Sequence, residues 1–195
     1  MGIRKHLVTL LEESLEREGR ELKGSSMAEL GNQFIKFSSF HLSKNYFISR
    51  GVDHISYDWN GKDDSVMLDL GSSPKQSFPT YDIVTNFGTS EHVYNQYWCF
   101  YHIHQLCKVG GIMIHSIPFK NSWPTHCPFY YEPICFELLA ESCGYEILHN
   151  RIDKSRGPKK HTVTAVLKKK KNVPFVPLVD NSIFINTFKI TKEDE

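Results

Sequence analysis

Net charge is nearly absent from this chain: 23 Lys and Arg face 22 Asp and Glu over 195 residues, a formal +1. That leaves no electrostatic footprint for general nucleic-acid binding, so a nucleic-acid partner is not expected. Long apolar runs are missing too. No stretch approaches the roughly 20 apolar residues that span a bilayer. The N-terminal run is cut by Glu12 and Glu13, which excludes a secretory signal and a membrane partner. His6 stands where a myristoylation motif wants Ser or Thr. Cysteines number five, without paired spacing. An odd, unpaired set argues against a disulfide framework and for a reducing, cytoplasmic setting. No internal repeat is visible.

What is present is an alternation of apolar patterns. Ile3, Leu7, Leu10, Leu11 and Leu15 fall at helical spacing among charges, which predicts an amphipathic helix over 3–20. Short strands are expected at 26–32, 53–58 and 65–71, with a loop and short helix over 34–51. Residues 81–87 read as a buried strand, 92–108 as a helix stopped by the glycines of "KVGG", and 112–118 as a second buried strand. A helix over 132–144 ends at Gly144. Residues 145–152 and 161–169 flank a polar loop and predict a closing antiparallel hairpin. A tail follows over 172–195. Strands alternating with helices imply a single α/β domain over 1–171, three-layered, with a mostly parallel sheet.

In such sheets ligands bind beyond the carboxyl ends of the strands. Those ends carry Glu29-Leu30-Gly31-Asn32, Asp58, Asp69-Leu70, Asn86-Phe87-Gly88 and Ser116-Ile117-Pro118. Acids and small polar residues therefore gather where a nucleoside-like ligand would sit.

The central segment then becomes specific. Tyr81-Asp82-Ile83-Val84, Ser90-Glu91-His92-Val93, an aromatic-rich helix, Lys108-Val109-Gly110-Gly111 and Ile117-Pro118 follow one another in that order. This run resembles class I S-adenosylmethionine-dependent methyltransferases of the methyltransferase type 11 kind, over roughly residues 25–170. The resemblance implies a Rossmann-like sheet closed by an antiparallel hairpin strand, and S-adenosyl-L-methionine as cofactor. It also implies roles. Glu29, with the amides of Gly31 and Asn32, would orient the methionine end. Asp58 would accept from the ribose hydroxyls, and Asp69 with Leu70 would meet the adenine. Asn86, Phe87 and Gly88 would border the cofactor at the next strand end. Two departures stand out. Gln33 occupies the place of the family's second loop glycine. The segment between Asp58 and Asp69 is too short for a helical crossover, so either that crossover is degenerate or residues 66–70 pair in a non-standard way.

His92 and His126 are the candidate acid–base groups, since an imidazole beside a transfer centre can bind the acceptor or take its proton. Each has a plainer reading. His92 can link helix and loop, with Thr89 or Ser90 capping the helix and Glu91 complementing its dipole. His126 can belong to a packed aromatic loop, in which Trp123, Phe129, Tyr130 and Tyr131 could wall an acceptor pocket. Cys99, His102, His104 and Cys107 lie on one helix, where their spacing scatters them, and no metal is expected.

The expected activity is methyl transfer to an oxygen or nitrogen of a small-molecule or sugar-like acceptor. The alternative is a non-catalytic Rossmann-like protein with altered cofactor binding. A nicotinamide oxidoreductase fits poorly with the glycine-poor loop and the hairpin. A serine hydrolase fails because residues 88–92 lack the second glycine of a nucleophile elbow.

Overall fold

The computed structural model describes residues 2–176; the part of the tail beyond them, 177–195, lies outside this description. Seven strands form one sheet: β1 (Ser26–Leu30), β2 (Asp53–Asp58), β3 (Val66–Met67), β4 (Tyr81–Asn86), β5 (Cys107–Pro118), β6 (Tyr145–Asp153) and β7 (Thr162–Lys169). Their spatial order is β3-β2-β1-β4-β5-β7-β6. The first five run parallel, and β7 enters antiparallel between β5 and β6. The hairpin expected from the sequence is therefore the sheet's closing edge.

Four helices cover the two faces: α1 (Lys5–Arg17), α2 (Ser43–Ser49), α3 (Gln96–Leu106) and α4 (Pro133–Cys143). Strand side chains alternate between faces. Met27, Ile83, Ile112 and Ile114 pack under α1 with Leu7, Leu11 and Leu15. Ala28, Val84 and Met113 pack on the other face with Phe100, Ile103, Phe136 and Leu139 of α3 and α4. Because both faces are covered, the central strands are buried on consecutive residues rather than alternate ones.

Three sequence expectations are corrected. The glycines of "KVGG" do not stop a helix: α3 ends at Leu106, and Cys107 opens β5 by pairing with Tyr81. Gly110 takes φ +81 inside that strand, and a Cβ on Gly111 would lie 2.8 Å from Cys107 Sγ. The glycines thus serve an irregular strand start, where β4 and β5 shift register between Tyr81 and Ile83. The helix expected over 92–108 is split. A 3-10 turn at Ser90–His92 is followed by a break, and α3 starts at Gln96 with Asn95 Oδ1 accepting from Trp98 N at 3.1 Å. Neither Thr89 nor Ser90 caps it; Thr89 Oγ1 donates to the Leu30 carbonyl at 2.6 Å instead. Finally, the strand expected over 65–71 is only Val66–Met67. It pairs parallel to β2 as a two-residue edge, reached through a 3-10 turn at Lys62–Asp64. A single turn suffices because so short an edge strand needs little return path.

Candidate functional site

The sheet order places β2 and β4 on opposite sides of β1, which makes the carboxyl end of β1 a topological switch point. Leu30, Tyr57 and Asn86 stand in register there, so the loops leaving the three strands emerge at one level. Between them lies a cavity of about 640 Å³. Its floor and walls include Gly31, Asp58, Asp69, Leu70 and Gly88, with His92 at one side. Tyr57, Leu68 and Val93 give it an apolar lining, and the exposed rings of Trp59 and Tyr94 stand at its rim.

Gly31 is there for a physical reason. Its φ is +73, and a Cβ would come 2.6 Å from Thr89 Oγ1 and 2.7 Å from Gln33 Nε2. Only glycine fits that approach without strain. Gln33, the residue in place of a second glycine, is buried; its side chain donates to Thr89 Oγ1 at 3.2 Å and lines the cavity. An amide bridge between two loops thus braces a turn that more glycine would leave slack.

Asp58 ends β2 at the cavity wall. One carboxylate oxygen accepts from Asn32 N at 2.9 Å and the other from Asn60 N at 3.2 Å. The turn reading of Asp58 and a ligand-facing reading are compatible, because an ionised carboxylate offers about four acceptor positions. Asp69 is exposed; Ser72 Oγ and Gly71 N donate to it and hold its carboxyl below the usual range.

Other candidates sit away from the cavity. Glu29 is fully buried beneath the loop, accepting from Ser43 Oγ at 2.6 Å and from Gln33 N at 3.4 Å. Burial pushes its carboxyl up to about 8, against the pull of those donors. His54 Nε2 lies 3.7 Å from it, but burial pushes that imidazole down to about 4, so at neutral pH the contact joins two uncharged groups rather than an ion pair. Asn32 contributes its amide to Asp58 and its side chain to Asp63. Asn86 is buried, donating to Ser90 Oγ at 2.9 Å and to His115 Nδ1 at 3.2 Å while accepting from Ser90 N at 3.1 Å. Phe87 is buried in the α1-side core. These residues shape the turns beneath the cavity.

The two histidines converge. His92 and His126 have ring centroids 5.1 Å apart, nearly perpendicular. His126 comes from the loop after β5, which Phe129 N ties to the turn by donating to the Glu91 carbonyl at 3.3 Å. Trp123 and Thr125 in that loop take left-handed φ of +56 and +58, costly for such residues. The aromatic loop is not an acceptor wall throughout. Tyr130 and Tyr131 are buried, and Tyr131 Oη donates to Gln96 Oε1 at 2.8 Å while accepting from the Ser90 hydroxyl at 3.1 Å. Of the helix set, His102 donates to the Ser72 carbonyl and His104 Nε2 donates to the Val173 carbonyl, so each ring is turned to a different neighbour.

Sequence reasoning missed Gln33, Tyr57, Trp59 and Tyr94 as cavity residues. Trp59 and Tyr94, two large aromatics directly beside strand-end turns, were the available signal. It also read Glu91 as a first-turn acid complementing the helix dipole, whereas its side chain is fully buried.

No family model matches the chain, and no curated protein matches it. Solved structures do. One is the Burkholderia thailandensis 1,6-didemethyltoxoflavin-N1-methyltransferase, bound to 1,6-didemethyltoxoflavin and S-adenosylhomocysteine. It matches with a TM-score of 0.59 and 13% identity, over 86% of this chain and 78% of that one. A second is a SAM-dependent methyltransferase from Methanosarcina mazei, with a TM-score of 0.54 and 11% identity over 79% of this chain and 96% of that one. A third is the [4+2]-cyclase SpnF, with a TM-score of 0.54 and 14% identity over 75% of each chain. With the strand order β3-β2-β1-β4-β5-β7-β6, these likenesses show that the chain has the class I S-adenosylmethionine-dependent methyltransferase fold.

Proposed function

We propose that this protein is an S-adenosylmethionine-dependent methyltransferase acting on an oxygen or nitrogen of a small-molecule or sugar-like acceptor. The observation that carries the reading is the cavity at the switch point, with Gly31 and Gly88 beneath it, Asp58 at its wall and apolar side chains around it. That set suits a nucleoside carrying an amino acid. An acid at the end of β2 has acceptor capacity left for ribose hydroxyls, and Tyr57, Leu68 and Leu70 offer a slot for a flat base. The cofactor, when bound, supplies an electrophilic sulfonium methyl. The chain's own residues position the acceptor, exclude water and, through His92 beside the cavity, can receive the acceptor's proton.

The test is calorimetric titration of the full chain with S-adenosylmethionine and S-adenosylhomocysteine, with Asp58→Ala alongside. Two lost charge-assisted hydrogen bonds, each about 1.5–3 kcal/mol, should weaken binding at least tenfold. Absence of binding by the unaltered protein would reject the reading. A second reading, a Rossmann-like protein that no longer transfers methyl groups, is favoured by Gln33 filling the loop and by a cyclase sharing the fold. Binding without turnover over a broad acceptor panel would favour it.

A further inference from the structure

Glu91 and His126 stand beside His92 at the edge of the cavity without lining it. Glu91 has no solvent exposure, and neither of its carboxylate oxygens has a hydrogen-bond partner among the described residues. A buried acid in that state is costly in either protonation form. Ionised, it is a buried charge that no hydrogen bond meets, with Arg156 acting on it only through its charge; neutral, it leaves polar atoms unmet. His92 Nε2 and His126 Nε2 each lie 3.9 Å from the same oxygen, Glu91 Oε1. That is too long for a hydrogen bond, and His126 Nε2 is itself buried without a hydrogen-bond partner among the described residues.

We propose that Glu91, His92 and His126 bind a divalent first-row transition cation. One ligand atom from each of the three lies within 4.8 Å of the others. Ligands about 2.1 Å from a shared ion in tetrahedral geometry sit about 3.4 Å apart. Both Nε2–Oε1 separations exceed that by about 0.5 Å, and no pair in the group exceeds it by more than about 1.4 Å. Rotation of the His92 and His126 side chains, 47% and 30% exposed, has room to close the difference. Two imidazoles and one carboxylate suit zinc, manganese, iron or cobalt better than calcium or magnesium.

The backbone presets the arrangement. The bond from Phe129 N to the Glu91 carbonyl holds the His126 loop on the turn that carries Glu91 and His92. Three protein ligands leave coordination positions open. His92 lines the cavity, so the site borders it. Binding of the cation does not depend on the methyltransferase reading; a role in receiving an acceptor does, and with the ion bound His92 is a ligand, so its role as proton acceptor belongs to the metal-free protein.

The test uses the full chain stripped with chelator, without cofactor or acceptor. Zn2+ and Mn2+ are titrated by calorimetry, and Co2+ by its visible absorption, whose position separates nitrogen and oxygen ligation from thiolate ligation at the five cysteines. The expected result is one equivalent bound at micromolar concentration or tighter, with nitrogen and oxygen ligation. Glu91→Gln keeps the side-chain shape and His126→Ala alters a surface loop. Each should weaken binding on the order of 100-fold while far-ultraviolet circular dichroism is retained. No binding by the unaltered chain, or affinity unchanged in folded His126→Ala, overturns the proposal. Failure here leaves the calorimetric result with S-adenosylmethionine untouched, so the two readings fall separately.

Discussion

Glu29→Gln isolates the energetic cost of the acid beneath the first loop. Its carboxyl is fully buried and pushed up to about 8 from an ordinary 4.5, chiefly by desolvation, with Ser43, Gln33 N and the Lys44 charge opposing. The folded protein therefore holds a proton that the unfolded chain releases from pH 4.5 upward. Between 4.5 and about 8 the folded state binds more protons, so this group makes stability fall as pH rises. Each unit of separation is worth about 1.4 kcal/mol, which amounts to about 3 kcal/mol by pH 7. Glutamine cannot ionise, and it keeps the shape. Its oxygen can accept from Ser43, and its amide faces His54 Nε2, which is buried and unpartnered. The variant should match the unaltered protein within about 1 kcal/mol at pH 5 and exceed it by about 3 kcal/mol or more at pH 7–8. Urea denaturation at pH 5, 6.5 and 8, with chelator present, measures this. Glu91 is also pushed up to about 8 by burial, but it is common to both proteins and cancels in the difference. His54, His104 and His115, pushed down to about 4, 4 and 3, act in the opposite sense and only below about pH 6.5. A stability difference that is constant from pH 5 to 8 would refute the argument.

Gly31→Ala should cost about 1–3 kcal/mol, since φ +73 and a 2.6 Å approach to Thr89 Oγ1 coincide there. Gly144→Ala, with φ +63 at the end of α4 and nothing nearer than 4.0 Å, should cost only about 1 kcal/mol. Equal losses in thermal denaturation would show that the Thr89 contact does not matter. Tyr131→Phe removes the donor to Gln96 Oε1 and the acceptor of the Ser90 hydroxyl and should destabilise by about 1–3 kcal/mol in urea. An unchanged midpoint would mean water replaces the hydroxyl at no cost.

The amino-acid order by itself determined the alternating α/β pattern and the closing hairpin. Strands covered on both faces favour consecutive apolar residues, and Ile83-Val84 and Ile112–Ile114 carry that pattern locally. Gly144 ended α4 as expected, because its left-handed φ is a property of one residue and its own turn. The strand-end acids were legible for the same reason, and Asp58 stands at the cavity the topology creates. Tertiary structure decided what depends on partners distant in sequence. Gly110 and Gly111 lie in a strand rather than a helix stop because Tyr81 pairs with Cys107. Glu29 carries the pattern of a ligand-facing acid, but α2 brings Ser43 over it and closes it from the cavity. Glu91 and His92 are neighbours in the chain, with nothing local to distinguish a solvated first turn from a buried one. Only the loop after β5, laid back on that turn through Phe129, buries the carboxylate and sets His126 beside it. Burial and convergence are properties of surfaces that meet, and no local pattern encodes which surfaces those are.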